Sequence, residues 1–222
     1  MTQTIDAPVT VPTPARSATR ALLAGAAAGP LFLGSGLIQG LTRDGFDFTR
    51  NALSQLSLDD LGWIQTTTFL LTGVLVIAGA VGMRKALGDT PSSTWAPRLI
   101  GVFGASFLLA SAFAADPGAG FPVGASQERT ASLSTHGAIH MVSGMVGYLS
   151  LCAAFLVLAV HFSARNRRGW ALASRIAPAG ILAGFVGSSA TVLAFTTGAG
   201  LGLLWLTAVT ARLLATAPPG RK

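Results

Sequence analysis

Six apolar stretches alternate with polar connections along this chain, and the alternation predicts its main structural elements. The longest stretch, from Gly137 to Val160, contains no residue that must be charged. We expect Thr135 to cap its helix, and at about 1.5 Å per residue that helix crosses the roughly 30 Å of bilayer hydrocarbon. The predicted spans lie at about 21–39, 63–83, 99–115, 137–160, 176–195 and 201–214. The pattern therefore predicts an all-α polytopic membrane protein, a six-transmembrane-helix bundle.

The remaining segments are predicted to be tails and short connections. Residues 1–19 are rich in Thr, Pro and Ala and predict a disordered cytoplasmic tail, residues 20–215 form one transmembrane domain, and residues 216–222 form a second tail. A cleavable signal peptide is the alternative for the first span, although this span is longer than the usual apolar core of about 7–15 residues. Thr196–Gly200 predicts a tight turn between the last two spans.

The polar connection between the first two spans contains a second amphipathic pattern. In residues 40–61, Phe48, Leu53 and Leu56 are placed to line one side of a short helix. An amphipathic helix next to a membrane span commonly lies in the interface. We therefore expect a short helix on the membrane surface there.

Composition strengthens the membrane interpretation and excludes several classes. The chain is 51% hydrophobic and only 10% charged, against about 25% charged residues in a typical soluble domain. The net charge of +7 does not require nucleic acid, because basic residues retained in cytoplasmic loops explain it and no nucleic-acid-binding motif is present. Cys152 is the single cysteine, so no intramolecular disulfide forms. The lipid bilayer is the expected partner.

The distribution of charge predicts the orientation. With the N-terminus in the cytoplasm and six crossings, most basic residues fall inside and most acids outside, so both termini are predicted to be cytoplasmic in a plasma-membrane protein. The inside would hold Arg16, Arg20, Arg84, Lys85, Arg98, Arg165, Arg167, Arg168, Arg175, Arg212, Arg221 and Lys222. The outside would hold Arg43, Arg50 and Arg129 with Asp44, Asp47, Asp59, Asp60, Asp116 and Glu128.

Candidate chemistry gathers at the predicted outer interface. Asp116 ends the third span, and His136 and His140, four residues apart on one helix face, begin the fourth. A helix N-terminus favours neutral imidazole, the form that ligates metals. The three side chains are a possible ligand set for a catalytic Zn²⁺ with one open position, at which Asp59, Asp60 or Ser54 would help to activate water. The alternative function is therefore a membrane-embedded metal-dependent hydrolase.

A structural polar cluster explains the same residues without a metal. Position 137 is Gly, where the metalloprotease motif has Glu. Asp116 at a helix C-terminus is disfavoured by the helix dipole and needs a partner, for which Arg129, His136 and His140 are candidates. No Asp, Glu, Lys or Arg lies at a span centre, which argues against an ion-coupled transporter.

Four motifs in the connections resemble a known family when taken in order. They are N-x-x-S-Q-L-S-L-D-D-L-G-W-I-Q from Asn51 to Gln65, then Gly82-Met83-Arg84, then Asp116-Pro117 with Gly120-Phe121-Pro122, then His136-Gly137-x-x-His140. Over residues 20–215 the chain resembles a bacterial integral-membrane family, domain of unknown function 998, of actinobacterial type. The resemblance implies six helices and no established reaction. It directs the search for a site to Asn51, Ser54, Asp116, His136 and His140.

These observations favour a non-enzymatic membrane protein of uncharacterised activity. We expect it to bind a lipid or a membrane-protein partner through a polar extracytoplasmic face. No cofactor is required by this interpretation, whereas zinc is required by the hydrolase alternative.

Overall fold

The computed structural model describes residues 14–128 and 133–216, with side chains from Ser17 onward. Within these residues the regular structure is helical. The helices are α1 (Pro14–Thr42), the 3-10 helix (Leu53–Ser57), α2 (Gly62–Ala86), α3 (Pro91–Ala112), α4 (Thr135–Ala164), α5 (Arg168–Gly187) and α6 (Val192–Thr216). Residues 1–13, Arg129, Arg221 and Lys222 lie outside the described residues.

All six α-helices are long and apolar enough to cross a membrane, which confirms the predicted fold class. Their outer surface is apolar, with Ile38, Leu41 and Val186 each more than 60% exposed. Such an apolar surface suits the hydrocarbon of a bilayer. Each helix also satisfies its own backbone hydrogen bonds, as a lipid environment requires. Helix α1 begins at Pro14, inside the segment predicted to be a disordered tail.

The predicted turn at Thr196–Gly200 is wrong, because these residues lie within α6. The α5–α6 connection is instead residues 188–191. A Cβ on Gly198 would lie 2.9 Å from both the Gly180 carbonyl oxygen and the Gly184 Cα. Gly198 therefore permits close contact with α5 rather than a turn, and the 25-residue α6 is long enough to cross without bilayer thinning.

The helices form a closed ring in chain order. Each packs against the next, and α6 packs against α1. Glycines allow close approach, since a Cβ on Gly25 would lie 2.6 Å from the Gly79 Cα. Aromatic rings fill the interior across several helices, with Phe32 and Phe69 centroids 5.3 Å apart and Phe103 and Tyr148 centroids 5.1 Å apart. Because there are six crossings, the start of α1 and the end of α6 lie on the same side of the membrane.

The short helix expected in the first connection is present as the 3-10 helix, with Leu53 and Leu56 on its buried side, and it packs against the bundle. Leu56 of the 3-10 helix is fully buried, Leu53 packs over Gly36, and Phe48 packs over Gly40. The two glycines leave room on α1 for these side chains. We call residues 43–61 together with residues 113–128 the cap, and the end of the ring that they cover the capped end.

Candidate functional site at the capped end

Asp116 links the cap to the start of α4. Its Oδ2 accepts a hydrogen bond from the Ser134 backbone N–H at 2.9 Å, and its Oδ1 accepts one from the Ser134 hydroxyl. Ser134 Oγ in turn accepts from the Gly137 N–H at 3.0 Å, so Ser134 is the N-cap and Thr135, the predicted cap, is the first helical residue. The negative charge of Asp116 therefore lies at a helix N-terminus, where the dipole stabilises it.

Gly137 leaves room for this arrangement. A Cβ at position 137 would collide with the Asp116 carboxylate. The glycine found where metalloproteases have glutamate therefore makes room for the carboxylate that holds Ser134, the N-cap residue of α4.

The two histidines both contact Phe113, the residue after α3. His140 Nδ1 lies 2.8 Å from the Phe113 carbonyl oxygen, and because a carbonyl only accepts, Nδ1 is the donor. The ring of His140 packs edge-on against Phe69 at 5.8 Å. His136 is exposed, with its ring 5.3 Å from that of Phe113. The histidines thus fasten α4 to the end of α3.

The predicted zinc ligands have other partners in this arrangement. Within residues 14–128 and 133–216, no group of three or more His, Cys, Asp or Glu side chains is placed to hold a metal ion. Ser54 lies half-buried in the 3-10 helix, where its carbonyl accepts from the Ser57 hydroxyl at 2.7 Å. The zinc site and its activated water stay a prediction that the described contacts do not favour.

Two buried amides join the halves of the cap. Asn51, 1% exposed, donates through Nδ2 to the Gly118 carbonyl at 3.3 Å and accepts through Oδ1 from the Asp47 N–H at 2.9 Å. Gln55 Nε2 donates to the same Gly118 carbonyl at 3.1 Å and to the Asp116 carbonyl at 3.3 Å. Asn51, a family-motif residue, therefore has a complete structural role.

Arg43 is a cap residue that the sequence analysis did not single out. Its side chain is only 6% exposed, and its guanidinium donates to the carbonyls of Leu56 at 3.1 Å and Leu58 at 2.7 Å. The guanidinium also lies 5.4 Å from the centre of the Phe121 ring and 3.8 Å from the Asp59 carboxylate. The sequence contained one indication of this role, because Arg43 is a basic residue on the side predicted to be outside, where acidic residues predominate.

A groove lies where all three connections of the capped end meet. The groove has a volume of about 410 Å³ and is open to solvent. The third connection is joined to the cap because the Thr49 carbonyl accepts from the Thr191 hydroxyl at 2.9 Å and from the Val192 N–H at 3.0 Å. Arg50 donates to Gln127 Oε1 at 2.9 Å across the groove. Its lining residues are Thr49, Arg50, Ala119, Gln127, Ala190 and Thr191.

The edge of this groove contains an exposed carboxylate held by its neighbours. Asp47 accepts from the Thr49 hydroxyl at 2.7 Å and from the Thr49 N–H at 2.8 Å. These bonds, the hydroxyl's first, lower the pKa of Asp47 below its ordinary value, and the charge of Arg50 acts in the same direction. Asp47 therefore stays ionised and fixes the Thr49–Arg50 turn.

A further polar pair, also missed from the sequence, lies beneath the cap. Gln39 of α1 donates through Nε2 to Gln65 Oε1 of α2 at 2.7 Å, and both residues are buried. The sequence did contain a signal, namely two glutamines within apolar spans. A buried amide is costly to leave without a hydrogen bond, so each of them needs a partner.

Comparison with known proteins identifies a family, but the description of that family names no reaction. Neither a curated protein nor a solved structure matches the chain. The family described as "Protein of unknown function (DUF998)" matches residues 26–217, from within α1 to just past α6. This confirms the resemblance carried by the connection motifs, and the chain is a member of that family, a multi-pass, six-helix membrane protein.

Proposed function

We propose that the protein is a non-enzymatic lipid-binding protein of the plasma membrane, and that the groove at its capped end holds the phosphate of a lipid headgroup. The observation that supports this is the convergence of all three connections of the capped end around one guanidinium, that of Arg50. A guanidinium presents several donors in a planar fork that matches phosphate oxygens.

The surroundings of Arg50 suit a ligand from the membrane. Arg50 is exposed, and among the described residues its one hydrogen-bond acceptor is Gln127 Oε1, so further donors of the fork are available. Ala119 and Ala190 give the groove short apolar walls that leave room for a headgroup. The groove lies at the end of the membrane-spanning helices, which is the depth of lipid phosphates.

We infer the leaflet from the distribution of charge. Basic residues concentrate at the end of the ring opposite the cap, with Arg84, Lys85, Arg98 and Arg175 as examples. Because cytoplasmic loops retain basic residues, the capped end faces away from the cytoplasm and its ligand comes from the outer leaflet.

The test compares two variants that each remove one exposed positive charge. We expect dioctanoyl phosphatidic acid to raise the midpoint of thermal unfolding of the detergent-solubilised wild type and of Arg98→Gln, an arginine at the opposite end. Arg50→Gln should lose that response because the fork that holds the phosphate is gone. An equal response in Arg50→Gln and wild type would contradict the proposal.

A further inference from the structure

The buried amide pair of α1 and α2 is incompletely hydrogen-bonded. Gln39 is 5% exposed and Gln65 is 0% exposed. Their single mutual bond leaves Gln39 Oε1 and Gln65 Nε2 without a partner among the described residues. One hydrogen-bond acceptor and one donor of the pair therefore lack a partner inside the membrane-spanning region.

This result does not depend on how the two amides are oriented. Each amide contributes one carbonyl oxygen and one NH₂ group, and a mutual hydrogen bond uses one group of each kind. Turning both amides over exchanges their roles and again leaves one oxygen and one NH₂ group. The pair is short of one donor and one acceptor in either orientation.

The neighbouring hydroxyls are already engaged. Gln39 Nε2 also donates to Ser35 Oγ at 3.0 Å, and Ser35 Oγ lies 2.9 Å from Thr68 Oγ1. Thr68 donates its own hydrogen to the Ile64 carbonyl at 2.8 Å, so the hydrogen between the two hydroxyls comes from Ser35. Neither hydroxyl has a hydrogen left for the Gln39 oxygen.

A third unmet group lies deeper on the same side of α2. Thr72 is 0% exposed and its Oγ1 has no partner among the described residues. Residues 65, 68 and 72 recur at helical spacing, so Thr72 shares a face with Gln65. The unmet groups therefore continue from the amide pair toward the middle of the membrane.

The chemistry of the missing partner follows from these groups. A hydroxyl supplies both requirements, because its O–H donates to Gln39 Oε1 and its lone pairs accept from Gln65 Nε2. The contacts of the pair are all with neutral groups. A charged ligand in this position would lack a counter-charge and is disfavoured.

We propose that Gln39 and Gln65 bind the hydroxyl headgroup of an uncharged lipid that enters from the bilayer. The water-facing side is covered by the cap, where Leu53 packs over Gly36 and Phe48 packs over Gly40. Ser35, seven residues before the end of α1, is only partly buried, whereas Gln39, Gln65 and Thr68 are buried. A lipid hydroxyl would therefore reach the pair from the bilayer by parting α1 and α2 beside Ser35.

This site is distinct from the groove around Arg50 in both place and ligand. It lies between α1 and α2 beneath the cap, and it selects a hydroxyl rather than a phosphate. Failure of phosphatidic acid to bind at Arg50 would leave this proposal standing, and the reverse also holds.

The experiment uses two probes that differ at one position. Dioctanoylglycerol carries one free hydroxyl, and trioctanoylglycerol carries an ester there. The midpoint of thermal unfolding is measured in detergent for wild type, Gln39→Met/Gln65→Met and Thr207→Val. Thr207 is the matched control, because its Oγ1 is also buried without a partner among the described residues but belongs to α6.

We expect dioctanoylglycerol to raise the wild-type midpoint by roughly 5–10 °C at a hundredfold excess over its dissociation constant, and trioctanoylglycerol to have no such effect. Thr207→Val should respond as wild type does, and the double glutamine variant should not respond. Equal responses to both probes in the wild type would overturn the proposal without any variant. No response to either probe would also overturn it and would leave ordered water as the partner of the pair.

Discussion

The cap and the α1–α2 pair bury polar side chains in opposite ways. In the cap, Arg43 and Gln55 each donate to two backbone carbonyls, and Asn51 both donates and accepts. The buried side-chain atoms without a partner among the described residues all belong instead to membrane-spanning helices, and they lie on Gln39, Gln65, Thr72 and Thr207.

The difference separates structural residues from candidate binding residues. A completely bonded buried group stabilises the fold, and its removal leaves a partner unsatisfied. An incompletely bonded group destabilises the unliganded fold, and its removal relieves that cost while abolishing any ligand contact. Loss of a cap residue should therefore reduce stability, whereas loss of the amide pair should reduce ligand response.

The largest effect is expected from Gly137→Ala. The added Cβ collides with the Asp116 carboxylate and displaces it from Ser134, the N-cap of α4, so the free energy of unfolding should fall by about 2–3 kcal/mol. The control is Gly144→Ala in the same helix, where a Cβ meets no atom within 4 Å. Its unfolding free energy should stay constant or rise by up to about 1 kcal/mol. Equal losses in thermal unfolding would show that position 137 is not crowded.

A comparable loss is expected from Arg43→Met. The Leu56 and Leu58 carbonyls would lose charge-assisted donors, and the unfolding free energy should fall by about 2–3 kcal/mol. Arg50→Met, which removes an exposed guanidinium, should change it by less than about 0.5 kcal/mol. Chemical unfolding of both variants in detergent gives the difference. If Arg50→Met cost as much, burial of Arg43 would not be what stabilises the cap.

The smallest effect is expected from acid at Asp47. Its pKa in the folded protein is below the ordinary value, so its contribution to stability is fully present above the unfolded pKa of about 3.9 and is lost as pH falls through the folded pKa. Asp47→Asn keeps an oxygen for Thr49 and removes the titration. The wild-type midpoint should therefore fall relative to the variant only below about pH 4. Parallel curves down to acid pH would contradict the assigned hydrogen bonds.

The fold was predictable because a bilayer permits few alternatives. A stretch of about 20 apolar residues must satisfy its backbone internally, so each of the six stretches had to be a helix. The errors fell where one residue type has two uses. Thr196–Gly200 was expected to be a turn between two spans but lies within α6, where Gly198 permits helix contact, and Leu53 was expected to face the membrane surface but packs against Gly36 of α1.

The candidate site was predictable only in part. The sequence indicated that Asp116, His136 and His140 meet at one end, but it did not identify Ser134 and Phe113 as their partners. Backbone acceptors and donors have no signature in sequence, so a polar side chain aimed at the backbone resembles one aimed at a metal. Zinc binding stays a prediction, tested by the metal content of wild type against His136→Ala/His140→Ala.

One paired measurement tests the contrast between cap and interior most directly. The free energy of unfolding is compared for Asn51→Leu and Gln39→Met/Gln65→Met in the same detergent without added lipid. We predict opposite outcomes, with a loss of about 2–3 kcal/mol for Asn51→Leu, because the Asp47 N–H and the Gly118 carbonyl lose a buried partner, and no loss or a gain for the glutamine variant, because unmet amide groups are removed. Losses of similar size in both variants would contradict the account.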